Sequence, residues 1–585
     1  MNNGRNTYLV SKVLKGFVLA SILTSAAAQL ASTFDAIVLA QFEGTEAVSA
    51  LSLVLPVTTF ISCLGLLLGF GANALSARTI GHNNPAQASA VFSTAVWSIL
   101  ILGVLFSLLV YAGIPSIMRI ITDEPNLRAL PTEYLSVYSL GAWLEMLSYA
   151  LCLFVATDGH PRRVTMSVVA GMLTNIAVDV LAVGWFDWGI RGVALGSVAQ
   201  FAVNVLLLGS YLRHSSCTYR LVWPGSKMLG LFTENIKEGA AVTISNILMA
   251  LTVLLINNII FHAQADRGLF FWSVCLQMLM LAVVFINGVM EALFAIGGVM
   301  VGEHDLQGFS LLSRRALIVV SVLVSLIVVL MWIPNAVGIM FGIEEPYELA
   351  SVNSVLRIFS LLLVPFALTL TLMAVYQVLE RILLSVVIAV GQLSVLVLSV
   401  WLMAFVAPDS VWYAFPLSSL AFLLFQVCYT FIISRRKHKS VSGLTLIPYN
   451  EGGSSFNCSV PYNPAEVSTV LNKIVAFLGE TGVDSHTAFN LNLCLEELMT
   501  NIANHSRGRV VHHSFDVHIF VKDQNVRVTL KDAGRPFDPI SAGRAADGNL
   551  VDGDIPNLGL RIAANILTDI SYKYMYGLNV ISIKV

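Results

Sequence analysis

For its first 440 or so residues the chain is a succession of long apolar segments separated by short polar ones. The apolar segments fall at about 16–40, 50–77, 90–113, 132–157, 163–186, 191–212, 238–262, 270–300, 315–341, 350–378, 382–406 and 411–434. Each approaches or exceeds the ~20 residues a helix needs to cross ~30 Å of hydrocarbon. Such segments must be helical, because lipid offers an unpaired backbone no partner. Beyond residue 440 the pattern changes. Apolar positions recur at helical spacing over 465–478 and 485–505. They alternate over 515–522 and 525–531, with Asp523-Gln524 as the turn between. Strands are expected at 456–460 and 580–585, and a helix starting at 557. The expected architecture is an all-α polytopic membrane domain of 12 helices in two six-helix lobes, followed by an α/β sandwich with one helical layer on one mixed sheet.

Composition agrees. Of the 585 residues, 56% are hydrophobic and 12% charged, where a soluble chain carries about 25% charge. The seven cysteines show no CxxC spacing and read as buried small residues or free thiols, not as a metal site or disulfide frame. The basic N-terminus, Met1 to Lys15, is expected to be retained. Net charge is only −2, but its distribution is informative. Arg5, Lys12, Lys15, Arg78, Arg162, Arg163, Arg213, Arg220, Lys227, Lys237, Arg314, Arg315, Arg381 and the cluster Arg435 to Lys439 lie on one side of the spans. The opposite loops hold only Arg119, Arg128, Arg191 and Arg267. The positive-inside rule makes the first side cytoplasmic, with both termini there. A bilayer is the expected environment, and nothing points to nucleic acid.

The polar stretch 213–237 divides the spans six and six, giving lobes 1–212 and 238–435, a linker 436–455 and a tail 456–585. Leu379-Glu380-Arg381 before the eleventh span echoes Asp158-Gly159-His160-Pro161-Arg162-Arg163 before the fifth, as two parallel repeats would.

Charges within the spans are the first candidate chemistry. Asp35 lies in the first span; Asn175 and Asp179, four apart, share one face of the fifth. A carboxylate within a bilayer costs a few kcal/mol and normally faces a wet cavity. Two aspartates sharing a cavity would suit uptake and release of H⁺; the same oxygens with the Asn carbonyl would suit Na⁺. Alternatively, Asp35 is simply solvated at the outer end of its helix. Glu145 in the fourth span and Glu291 in the eighth are possible cavity residues, and Arg357 in the tenth either serves a cavity or snorkels.

On these residues the first 435 positions resemble the multidrug and toxic compound extrusion (MATE) transporters. The resemblance rests on Asp35, on Gly81 closing the second span, on Asn175-Ile176-x-x-Asp179, and on Gly192 with Ala194 opening the sixth. It implies two six-helix lobes around a central cavity, export of small organic compounds driven by H⁺ or Na⁺, and cation coupling at Asp35, Asn175 and Asp179. It also implies a bacterial inner membrane. The loop His82-Asn83-Asn84 departs from the family, many of whose members carry a small and acidic run there.

The tail carries three motifs. Glu497 and Asn501 stand one helical turn apart. An Asn oxygen suits Mg²⁺ beside phosphates, and a carboxylate there suits a general base. Asp532-Ala533-Gly534 follows a strand, where the Asp would accept from an exocyclic amine and the glycine admit a flat base. Asn557-Leu558-Gly559-Leu560 opens a helix whose free N–H groups favour phosphate. Residues 540–556 have lid-like composition. There is no GxxxxGK[ST], which excludes P-loop chemistry.

In order and spacing these motifs resemble the histidine-kinase-like (GHKL, Bergerat-type) ATPases, specifically their anti-sigma-factor serine-kinase branch. Glu497 to His505, including Asn504, matches the N-box; Asp532-x-Gly534-x-Pro536-Phe537-Asp538-Pro539 matches the first glycine box; Leu558-Gly559-Leu560 matches the second. Asn557 stands where a glycine is frequent. The resemblance implies ATP and Mg²⁺, with Asn501 at the metal, Asp532 at adenine and Glu497 as base. No phosphoacceptor-histidine helix pair precedes the domain, so a Ser or Thr on an anti-sigma-antagonist-like partner is the target to expect. Three functions follow in order: a cation-coupled exporter that the tail regulates or signals from, a membrane sensor serine/threonine kinase whose body is a receptor, and an ATP-driven pump.

Overall fold

The computed structural model describes residues 8–122, 125–214, 216–337, 346–436, 441–449, 452–506, 514–539 and 569–585. Among these, 12 helices are long and apolar enough to span a membrane: Tyr8–Phe42, Leu53–Gly81, Pro85–Ile121, Ala129–Thr157, Pro161–Gly184, Gly189–Tyr211, Gly225–Ala265, Arg267–Gly302, Leu306–Trp332, Pro346–Val378, Ile382–Val406 and Pro408–Arg436. The first begins well before the expected residue 16, because Leu9, Val10, Val13 and Leu14 are buried and extend its apolar face past Lys12 and Lys15. The fifth and sixth spans pack closely on each other, and the first on the fifth; the eleventh packs against the twelfth in the second half. The halves meet chiefly where the first two spans face the seventh and eighth. On the tail side this contact is tight. Arg78 Nη2 reaches Glu238 Oε1 at 2.5 Å in a buried ion pair, and Gln377 donates to the Glu238 carbonyl at 2.9 Å. Gly81 lies against the Val299 carbonyl and Gly302, where a Cβ would not fit.

The tail runs β1 (Ser454–Pro461), α1 (Pro464–Glu480), α2 (Ser485–Ser506), β2 (Ser514–Lys522), β3 (Asn525–Asp532), β4 (Asp569–Met575) and β5 (Leu578–Lys584). Asn463 caps α1 by accepting from Ala465 N, with Pro464 as the first helical residue. Asp484 caps α2 by accepting from His486 N and Thr487 N. The strands order as β1-β2-β3-β5-β4, and every pairing is antiparallel, so the expected mixed sheet is corrected. Strand β4 was not anticipated: Asp569–Met575 is polar at most positions and lacks the clean alternation that marks a half-buried strand. The expected helix from 557, with Asn557, Gly559 and Leu560, lies outside the described residues.

One face of the sheet is apolar. Val460, Phe515, Val517, Ile519, Val526, Val528, Leu530, Ile581 and Ile583 pack against α1 and α2 through Leu471, Ile474, Leu491, Leu495 and Leu498. The other face carries buried polar residues, among them His518, Thr529 and Lys531, and lies on the membrane body. Lys531 Nζ pairs with Glu303 Oε2 at 2.5 Å, and His518 Nε2 sits 3.1 Å from the Glu303 carbonyl. Phe520 stacks on His304 with centroids 4.4 Å apart. Asn83 donates to Asp569 at 3.3 Å and accepts from Ser571 at 2.7 Å, while Arg527 reaches His82 Nδ1 at 3.0 Å. The loop that departs from the MATE pattern is thus a seat for the tail. The linker also packs: Leu446 and Ile447 are buried, and Tyr376 donates to the Leu444 carbonyl at 2.7 Å.

Candidate functional site

In the tail, α2, β3, β5 and the loop after β3 enclose a cavity of about 180 Å³ lined by Leu498, Asn501, Ile502, Asp532, Arg535, Pro536, Phe537, Pro539, Asn579 and Ile581. Asp532 is 4% exposed at the end of β3. It accepts from Asn579 Nδ2 at 3.0 Å, from Gly534 N at 3.1 Å and from the Tyr462 hydroxyl. Burial, then the Asp532 charge, raises the Tyr462 hydroxyl above its usual pKa. Phe537 N donates to Tyr572 Oη at 3.1 Å and to Asn579 Oδ1 at 3.2 Å, and burial pushes the Tyr572 phenol to about 12. Asn501 therefore shares the cavity with Asp532, Gly534 stands at its rim and Phe537 forms a wall. Glu497 is half-buried one turn before Asn501. Asn504 is exposed and not part of the lining. His505 lies in α2, and its side chain is outside the described ones.

The cavity suits a flat heterocycle with an exocyclic amine: a buried carboxylate at the back, an aromatic wall and an amide at the mouth. It therefore fits adenine at Asp532, with Asn501 placed for a metal beside the phosphates. Sequence reading missed Tyr462, Tyr572 and Asn579. The signal for Asn579 was present: it interrupts the inward series Asn579, Ile581, Ile583, as Asp532 ends Val526, Val528, Leu530, and register sets the two polar breaks opposite each other.

In the membrane body, Asp35, Asn175 and Asp179 converge beside Gly196 and Ser197. They are 8%, 1% and 0% exposed, so Asp35 is buried rather than solvated. The two carboxylates lie close enough to interact through their side chains, and Ser197 donates to Asp35 at 3.5 Å. A Cβ at Gly196 would collide with Asp179 and stand 3.2 Å from the Asn175 amide nitrogen, so glycine admits the cluster. Both Asp179 oxygens, Asp35 Oδ1 and both polar atoms of the Asn175 amide have no hydrogen-bond partner. Buried acceptors facing each other require a proton or a cation between them. This donor set fits either H⁺ or Na⁺.

A larger cavity of about 230 Å³ lies between the halves. Glu145 and Glu291 are on its wall, with Ser21, Asn73, Gln200 and Asn204. Glu145 accepts from Tyr138 at 2.6 Å and from Ser62. Asp35, Asn175 and Asp179 do not line this cavity but form a separate cluster. Arg357 is exposed, with its guanidinium 5.9 Å from the Trp332 ring centre.

The MatE family profile matches residues 20–181, and the histidine kinase-like ATPase domain profile matches residues 460–585. Solved MATE structures superpose on the body. A MATE in the bent conformation covers 73% of this chain and 95% of its own at a TM-score of 0.67 and 19% identity. An outward-facing multidrug resistance MATE family transporter of the MOP superfamily gives 0.66 over the same shares, also at 19% identity.

The body has the MATE fold, and the tail is a histidine kinase-like ATPase domain.

Multidrug export protein MepA of Staphylococcus aureus strain MSSA476 is 28% identical over 237 residues, 39% of this chain and 52% of that protein. MepA of Staphylococcus saprophyticus is 27% identical over 214 residues, 36% and 47% respectively. The chain thus matches about half the length of these curated relatives.

Proposed function

We propose that this MATE-fold body exports small organic compounds, driven by H⁺ or Na⁺, and that ATP with Mg²⁺ bound in the tail regulates it. One observation carries the reading. The first half holds a buried Asp35–Asn175–Asp179 cluster whose oxygens lack protein partners, next to but separate from a cavity walled by two glutamates. A cation that neutralises the cluster in one state of the transporter and leaves it in another would bias the equilibrium between those states. The carboxylates of Glu145 and Glu291 favour basic or cationic compounds in the cavity. In the tail, Asp532 would hold adenine, Asn501 a phosphate-bound Mg²⁺, and Glu497 would orient or deprotonate a nucleophile. Phe537 and Ile581 exclude water from the base. Contact of the tail with both halves of the body supports direct regulation over signalling to a separate anti-sigma-antagonist-like protein. Transport into vesicles, with and without ATP, tests the reading in wild type, Asp179→Asn and Glu497→Ala. Loss in Asp179→Asn alone supports it. Phosphate on an added partner without transport would establish a sensor kinase, and transport needing Glu497 but no ion gradient would establish a pump.

A further inference from the structure

The hairpin joining β4 to β5 breaks a local rule. Met575 pairs with Leu578, so the loop is the two residues Tyr576-Gly577, with φ of 56° and 76°. Two-residue loops with positive φ at both positions favour Asn-Gly. A tyrosine in the left-handed region is disfavoured by its Cβ, by roughly 1–2 kcal/mol. Backbone strain of this kind persists where the surroundings hold it and the position has work to do.

The surroundings are the tail-side mouth of the central cavity. Tyr576 donates its hydroxyl to the Thr157 carbonyl at 2.6 Å and its N–H to the Gly159 carbonyl at 3.2 Å; its ring lies 5.9 Å from that of Phe17. Phe17 and Thr157 themselves line the cavity, as does Pro161 just beyond. Gly159, at φ 94°, accepts the hairpin because it has no side chain: a Cβ there would fall 2.5 Å from that of Met575. The hairpin stem is fixed to the same half through Lys573, which donates to Thr218 at 2.6 Å, and through Ser571 on Asn83. Lys531 on Glu303 anchors the sheet to the other half.

The inner face of the same hairpin belongs to the nucleotide pocket. Asn579, three residues after Tyr576, holds Asp532, and Tyr572 donates to Asn579 Oδ1 at 2.8 Å.

We propose that the Tyr576 hairpin is a plug that closes the tail-side mouth of the central cavity, and that nucleotide in the tail pocket controls it through Asn579. The link to nucleotide rests on the ATP reading above; the plug does not. It makes access to the cavity from the tail side depend on one aromatic side chain.

The test uses Cys152, a thiol on the cavity wall. Full-length protein in inside-out membrane vesicles is treated with a membrane-impermeant trimethylammonium methanethiosulfonate, and Cys152 modification is read by mass spectrometry. Tyr576→Asn installs the favoured Asn-Gly turn, so it keeps or raises the melting temperature while removing the plug. It is expected to speed labelling about tenfold, with Tyr576→Phe within about twofold of wild type. Saturating ATP with Mg²⁺ is expected to change the wild-type rate and leave that of Tyr576→Asn unchanged. Equal labelling of wild type and Tyr576→Asn overturns the plug. A wild-type rate indifferent to ATP overturns the link, and a parallel binding titration shows whether the pocket reading falls with it. Absence of transport would remove the export reading and leave the labelling result standing.

Discussion

Buried acids occur in two regions of this molecule, and they are treated in opposite ways. Between tail and body each has its donors. Glu303 has Lys531, Asp516 accepts from Ser459 at 2.6 Å, and Asp158 accepts from Tyr211 at 2.8 Å and from Thr218 N at 2.9 Å. In the first half of the body, Asp35 and Asp179 are equally buried, yet three of their four oxygens have no partner. A buried charge without a partner costs far more than a paired one. The paired acids therefore hold surfaces together, whereas the unpaired ones are kept for something mobile.

Removing one partner at the docking face should have the largest effect. Glu303→Ala leaves the Lys531 ammonium buried and alone, at a cost of about 3–5 kcal/mol. Hydrogen exchange in β2 and β3 should then rise sharply while the spans stay protected; unchanged protection would mean the contact is incidental. Asp179→Asn sharpens the contrast from the other side. Transport should fall by about tenfold or more, yet the melting temperature should hold or rise, because an uncompensated acid has been removed. A fall in stability comparable to that of Glu303→Ala would erase the distinction.

The nucleotide pocket is expected to be intermediate. Asn579→Ala takes one donor from Asp532 and one acceptor from Phe537 N, and should weaken ATP binding about tenfold in a titration. The smallest effect is that of pH on docking. Burial, then the charges of Arg527 and His304, holds His82 below its usual 6.5. The undocked state therefore binds the proton more readily, and docking is full above about pH 6.5 and weakens as pH falls below it. Exchange protection of β3 should drop modestly between pH 7.5 and 5.5 in wild type, and less in His82→Gln.

The twelve spans were legible because lipid imposes one rule on every residue of a long segment, so length and apolarity suffice. The tail motifs were legible because the chemistry of α2 and of the β3 end is local: Glu497 and Asn501 need only one turn of helix, and Asp532 and Gly534 one strand end. Asn557, Gly559 and Leu560 belong to the same pattern and lie outside the described residues.

Contacts between distant segments were not legible. Periodicity could pair Asn175 with Asp179, but bringing Asp35 beside them across a helix interface, and away from the central cavity, depends on packing at Gly196. Asn579 meets Asp532 only through the β3–β5 register. The polar strand β4 and the strained Tyr576 turn make sense only once the body lies against them. Sequence alone determined which segments enter lipid and which residues are chemically equipped, since those follow from each segment's own solvent and period. The tertiary structure decided which equipped residues meet, because side-chain contact depends on interfaces tens to hundreds of residues apart.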